Sequence, residues 1–205
     1  MKPILFVDFD GTLCHDRFWR SIGDDAYEKI QEFLFGPDTS LVMSWMRGEY
    51  TAEEVNQMVA KELAMSYETV WNIFVEDCKD MHVSPSTLET IGVLRDRFET
   101  ILITDNMDCF TRFTVPVLKL DFYFDVIVNS FYTKALKKDH EGEFFLRSAQ
   151  ERVVSINECM LIDDSKTTCN LFDTLGGNSC VVTPEYSIEY WLEKLLQSQL
   201  YATKE

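Results

Sequence analysis

A chain of 205 residues suits one domain, or one domain carrying a modest insertion. Its 46% hydrophobic content can supply a core, while 35 acidic against 19 basic residues give a formal charge of −16, which argues against sequence-independent binding to nucleic acid or to anionic lipid. Six scattered cysteines without a CxxC pair, no cationic and hydrophobic leader before the first strand, and no uninterrupted apolar run of about 18 residues predict a soluble cytoplasmic protein with reduced thiols.

The first predicted element is Ile4-Leu5-Phe6-Val7. Four apolar residues with no polar alternation describe a strand covered on both faces, as in a parallel sheet with helices on each side. Residues 14–84 then read as helical. Ala26, Ile30, Phe33 and Leu34 recur at helical spacing until Gly36-Pro37-Asp38 breaks the run. Thr51 and Glu54 form a capping box before Val55, Met58, Val59 and Leu63, and Ser66 caps a helix that turns Val70, Trp71, Phe74, Val75 and Cys78 inward.

After Ser84-Pro85, a predicted N-cap followed by proline at the first helical position, strand and helix alternate. A helix bearing Leu88, Ile91, Leu94 and Phe98 leads to the strand Thr100–Thr104. Further strands are expected at Phe124–Val128, Cys159–Ile162 and Cys180–Val182, with helices near 143–153, 166–175 and 187–199. A helix starting near Asp108 conflicts with Pro116, since an interior proline costs roughly 3 kcal/mol. Repeated βα units with right-handed crossovers predict an α/β fold: a Rossmann-like, mainly parallel sheet with helices on both faces, plus an inserted α-helical cap. The predicted division is a core of residues 1–13 and 85–205 and a cap of residues 14–84.

The chemistry lies at the strand ends. Asp8 and Asp10 close the first strand ahead of Gly11-Thr12, and their alternate spacing tends to put both carboxylates on one side of the chain. Asp163 and Asp164 close the strand Met160-Leu161-Ile162 in the same way. If the two strands are neighbours, four carboxylates share one crevice, and like charges that close call for a cation between them. Hard oxygen donors with open positions suit Mg²⁺.

On these residues the chain resembles the haloacid dehalogenase superfamily, most of whose members are phosphatases. DFDGT, Asp8–Thr12, matches its first motif; Thr104, closing ILIT, matches the second; and IDDS, residues 162–165, resembles the double-aspartate form of the fourth. The helical stretch 14–84 falls where that superfamily carries its first type of cap. The third motif departs: where serine, glycine, lysine and proline are usual, Ser130, Lys134, Lys137 and Lys138 stand here. Thr168 replaces a further Asp or Asn of the fourth motif.

The resemblance implies Mg²⁺-dependent hydrolysis of a small phosphate monoester. Asp8 would attack phosphorus and form an aspartyl-phosphate, and Asp10 would serve as acid and then base while its main-chain carbonyl ligates the metal. Asp8, Asp10, Asp164 and Asp163 would form the metal site, Asp163 either as a ligand or as an orienting group. Thr104 and Asp105 would hold the phosphoryl group, with Lys137, or else Lys134 or Lys138, as the cation beside it. Arg17, Arg20, Trp45 and Arg47 lie in the predicted cap, where contact with the leaving group competes with solvated or core roles. Asp10 disfavours a dehalogenase, because the members that cleave carbon–halogen bonds do not use this aspartate. A phosphomutase, or a non-catalytic phosphate-binding protein, are the alternatives. The expected partner is a small phosphorylated metabolite, with no nucleic acid or membrane, and no oligomeric state follows.

Overall fold

The computed structural model describes residues 1–197. Five parallel strands form one sheet: β1 (Ile4–Val7), β2 (Glu99–Thr104), β3 (Val126–Asn129), β4 (Met160–Asp163) and β5 (Asn178–Val181), in the order β3-β2-β1-β4-β5. β1 is central and all four of its residues are buried, as an unbroken apolar run requires. Its side chains alternate between two cores. Leu5 and Val7 pack under α5 (Pro85–Leu94) and α11 (Ile188–Gln197), while Ile4 and Phe6 pack under α9 (Glu143–Glu151) and α10 (Lys166–Thr174).

Between β1 and α5 the regular elements are four helices: α1 (Asp24–Phe35), α2 (Ser40–Met46), α3 (Ala52–Glu62) and α4 (Tyr67–Lys79). They share a separate core around Trp19, Ile30, Leu34, Trp45, Val59 and Phe74, to which Met107 and Cys109 are added from beyond β2. Thr51 forms the full capping box with Glu54, and Ser66 accepts from the Thr69 amide. Ser84 departs from expectation: its hydroxyl pairs with that of Ser86 at 2.8 Å instead of capping, although Pro85 does open α5.

Element ends shift by small amounts. The third strand begins at Val126 rather than Phe124, the fifth covers 178–181 rather than 180–182, and α9 stops at Glu151. The last helix is described to Gln197, so the predicted positions 198 and 199 lie outside the described residues. Helical backbone does begin at Asp108, and it runs through a wide π-helical turn over Phe110–Thr114 into the short α6 (Val115–Leu118), so that Pro116 follows directly on a local widening of the helix rather than on a regular α-helical turn. Lys119, in the left-handed region, then separates α6 from α7 (Leu120–Tyr123), and α8 (Ser130–Thr133) follows β3 directly.

All six cysteines are buried and free. No helix among the described residues is long and apolar enough to cross a membrane.

Candidate active site

The sheet order brings three polar strand ends together. Val7 pairs with Leu102 on one side and Ile162 on the other, and the Asp8 amide continues the ladder by donating to the Ile162 carbonyl at 3.0 Å. Asp8, Thr104 and Asp163 therefore sit at the carboxyl edge of three adjacent strands, where open α/β sheets bind ligands.

Asp8 and Asp163 are 4% and 0% exposed, and with the exposed Asp164 they offer carboxylate oxygens within 4.8 Å of one another. Lys137, itself 6% exposed, reaches into this group: its Nζ donates to Asp163 Oδ2 at 2.6 Å and lies 2.8 Å from Asp8 Oδ1. Asp8 Oδ1 is thus buried against the Lys137 ammonium and has no other polar partner. Burial alone would push the Lys137 ammonium down, but the surrounding Asp8, Asp163 and Asp105 carboxylates outweigh it and hold Lys137 well above its ordinary value. Asp8 is driven up chiefly by burial, with Lys137 opposing and Asp163 and Asp10 adding to the rise. Burial likewise raises Asp105, and it raises Asp164 with the help of Asp163.

Asp10 stands apart from this trio. Its Oδ2 accepts from Asn106 Nδ2 at 2.7 Å, and Asp10 is not in the group of acids whose oxygens lie within 4.8 Å of one another. Burial, with Asp164 adding and Arg17 and Lys137 opposing, pushes Asp10 up to about 6.

The turn after β1 is shaped to hold Asp164. Gly11 has φ +77°, and a Cβ there would overlap the Asp164 carboxylate, while Thr12 Oγ1 accepts from the Asp164 amide at 3.0 Å. Gly11→Ala should therefore lower stability by roughly 1–2 kcal/mol from the left-handed backbone alone and also displace Asp164. A denaturant midpoint read beside Mg²⁺ affinity checks both effects.

Of the three lysines left open by the departed third motif, the fold selects one by position. The Lys137 amide donates to Asp105 Oδ1 at 2.8 Å, which turns its side chain toward the acids. Lys134 instead lies over the Phe131 ring and donates to the Gly48 carbonyl at 2.9 Å, and Lys138 is exposed. Thr104 Oγ1 is buried without a hydrogen-bond partner. Thr168, in place of an acid, bonds the Ser165 hydroxyl, whereas the Ser165 amide donates to Asp163 Oδ1 at 2.8 Å and fixes that carboxylate. By sequence Asn106 stands in the polar pair Asp105-Asn106 that closes the second strand, and it is given no role there; its hold on Asp10 comes from the structure.

Magnesium is tested by the donor set. One ammonium faces the Asp8, Asp163, Asp164 and Asp105 carboxylates, and Asp8, Asp163 and Asp164 offer oxygens within 4.8 Å of one another. A hard divalent cation held by oxygen donors would supply the missing positive charge, so these residues fit Mg²⁺.

A cavity of about 340 Å³ opens above the acids between core and helical insertion, floored by Asp10 and Asp164 and walled by Arg17, Gln31, Phe35 and Met107. Of the other insertion residues, Arg20 is tied to the end of α4 through the Asp77 and Asp80 carbonyls, Trp45 is buried with its indole on Asp108 Oδ1 at 3.0 Å, and Arg47 pairs with Asp139.

Solved structures share this architecture. A HAD family enzyme from Bacteroides thetaiotaomicron, an Asp-to-Ala mutant in complex with magnesium and inorganic phosphate, superposes with TM-score 0.70 at 18% identity over 89% of this chain and 95% of that one. This is the haloacid dehalogenase fold. A HAD-like family hydrolase from Porphyromonas gingivalis gives TM-score 0.68 at 18% identity, covering 88% of this chain and 91% of that chain. L-2-haloacid dehalogenase from Xanthobacter autotrophicus, with chloropropionic acid covalently bound, gives 0.60 at 14% identity over 96% and 83%. No family sequence model and no curated protein sequence matches the chain. The haloacid dehalogenase fold places the candidate site at the carboxyl edge of β1, β2 and β4, with the helices of residues 24–79 beside it.

Proposed function

We propose that the protein is a Mg²⁺-dependent phosphatase acting on a small phosphate monoester, with residues 14–84 as its cap. The observation that carries this reading is the buried set of Asp8, Lys137 and Asp163 at the strand ends, together with a buried Thr104 hydroxyl that has no hydrogen-bond partner. Asp8 Oδ1 is the nucleophile toward phosphorus, and an aspartyl-phosphate forms on it as the P–O bond to the leaving group breaks. Lys137 and Thr104 hold the phosphoryl oxygens, the one by charge and the other by its free O–H.

Asp10 protonates the departing oxygen and then takes a proton from the water that hydrolyses the acyl-phosphate. A carboxyl raised to about 6 keeps a usable protonated fraction near neutral pH, where an ordinary aspartic acid would not. This also favours an oxygen leaving group over a halide, since halide departs as a stable anion and needs no proton. Mg²⁺ held by Asp8, Asp164, the Asp10 carbonyl and, directly or through orientation, Asp163 would supply Lewis-acid neutralisation of the phosphoryl charge. The HAD family enzyme crystallised with magnesium and inorganic phosphate lends support by likeness of fold.

Phosphate release from an aryl phosphate, and from a panel of phosphorylated sugars, nucleotides and amino acids, with and without Mg²⁺ is the direct test. Isomer formation in place of release would mark a mutase, and saturable binding without either would mark a binding protein.

Thr104→Val gives a separate prediction. The buried hydroxyl has no partner, so its loss should leave stability unchanged or raise it by about 1 kcal/mol. Losing a hydrogen bond to a charged phosphoryl oxygen, worth about 1.5–3 kcal/mol, should lower kcat/KM by about 10- to 100-fold. Thermal melts and steady-state kinetics on one preparation would show the two moving apart.

A further inference from the structure

Three consecutive residues of the helical insertion, Met46, Arg47 and Gly48, hold the polar scaffold of the core at three points. The Arg47 guanidinium makes a two-pronged contact with Asp139, Nε to Oδ2 at 2.9 Å and Nη2 to Oδ1 at 2.8 Å. Asp139 Oδ2 also accepts the Leu136 amide at 2.9 Å, and the next amide, that of Lys137, is held by Asp105. The Gly48 carbonyl accepts from Lys134 Nζ at 2.9 Å. The Met46 carbonyl accepts from Ser130 Oγ at 2.8 Å; that oxygen accepts the Asn106 amide at 3.0 Å, and the Asn106 side chain holds Asp10.

We infer that this turn is a clasp through which docking of the cap sets the positions of Lys137 and Asp10, with Arg47 and Asp139 as positioning residues. The inference rests on the phosphatase reading for the roles of Lys137 and Asp10, though the clasp itself is independent of it. Its physical need is visible in the loop it grips. Residues 134–141 carry Lys134, His140 and Glu141 with positive φ, a backbone region that side chains other than glycine rarely adopt, and they contain no proline to restrict the path. A loop so built holds a buried lysine in one place only when something outside it fixes its path, and a two-pronged Arg–carboxylate contact fixes both distance and angle. Gly48 completes the fit: its φ is +70°, and a Cβ there would run into Lys134 Nζ and the Phe131 carbonyl. Cap closure and completion of the reacting set thus become one event.

The test uses the full-length protein with Arg47→Ala, Arg47→Lys, Asp139→Ala and the Arg47→Ala/Asp139→Ala double variant. Two readouts are needed, aryl phosphatase kinetics with Mg²⁺ and amide hydrogen exchange at Leu136 and Lys137 without it. The clasp predicts about a tenfold or greater fall in kcat with a smaller change in KM for each alanine variant, and a double variant no worse than the worse single one. Arg47→Lys, which keeps the charge but loses the fork, should fall between. Exchange at Leu136 and Lys137 should quicken about tenfold in Arg47→Ala while amides of β1 stay protected. Unchanged exchange at both residues, or a loss for Arg47→Ala with none for Asp139→Ala, would overturn the proposal, the second outcome meaning that Arg47 acts on substrate directly. Were the parent protein to release no phosphate from any ester, the phosphatase reading would fail and the exchange measurement would still judge the clasp.

Discussion

Asp8→Asn protein is expected to fold as the parent does and to lose turnover by about 10⁴-fold or more, the scale on which removal of a covalent nucleophile is felt. The substitution keeps the shape of a side chain that is 4% exposed and removes its negative charge. Two energetic effects then oppose each other. Lys137 loses one anionic neighbour but retains its 2.6 Å contact with Asp163, while the burial that drives the Asp8 carboxyl upward no longer opposes folding. The net change in stability should lie within about 1 kcal/mol, because breaking a buried pair and removing a buried charge have opposite signs. Acid-quench trapping of radiolabelled phosphate on the protein checks the chemistry: label on the parent and none on the variant. Turnover by Asp8→Asn near the parent's rate would remove Asp8 from the nucleophile's role, whatever became of the fold.

The fold was legible in the sequence wherever burial leaves a residue no alternative. Ile4–Val7 has no polar side to show to water, so it must be covered twice, and helices on both faces of a parallel sheet follow. The acids at its end were legible for the same reason, because carboxylates directly after a buried strand must meet a cation or each other. Partnerships set by the path of the backbone were not. Lys134, Lys137 and Lys138 differ little as residues, and the path of the loop, held where the Leu136 and Lys137 amides meet Asp139 and Asp105, sets which of them enters the site. Asp10 was read as part of one acidic cluster because alternation puts 8 and 10 on one side of an extended chain; β1 ends at Val7, and beyond it the turn sends Asp10 to Asn106. The seven-residue α2 was invisible for want of length, since two turns without a side-chain cap give little periodicity to read. Yet it carries the clasp turn at its end.

Lys137→Met should show how far one ammonium supports the whole site. The replacement fills similar volume without charge, leaving Asp8, Asp163 and Asp105 around an apolar side chain, and removal of one partner from a buried ionic group costs about 3–5 kcal/mol. For a chain of this length that corresponds to a fall in Tm of roughly 6–20 °C in EDTA. Mg²⁺ should recover part of the fall, because a ligand that binds only the folded state stabilises it by mass action. The loss should also depend on pH. Asp8, Asp10, Asp105 and Asp164 are raised above their ordinary value of 3.8 in the folded protein, Asp10 to about 6. The folded state therefore binds more protons than the unfolded chain between those values, and stability falls as pH rises through the raised range. Removing Lys137 takes away the charge that opposes the rise and moves this window upward. The gap between variant and parent should accordingly be narrower at pH 5 than at pH 8, with EDTA present at both. Phosphatase activity should fall by at least about 10²-fold even with saturating Mg²⁺, since the metal compensates the resting charge but occupies a different position from the ammonium. Equal melting temperatures for variant and parent at pH 8 in EDTA would mean that the acids are already neutralised by protons, and the electrostatic account of the site would have to be given up.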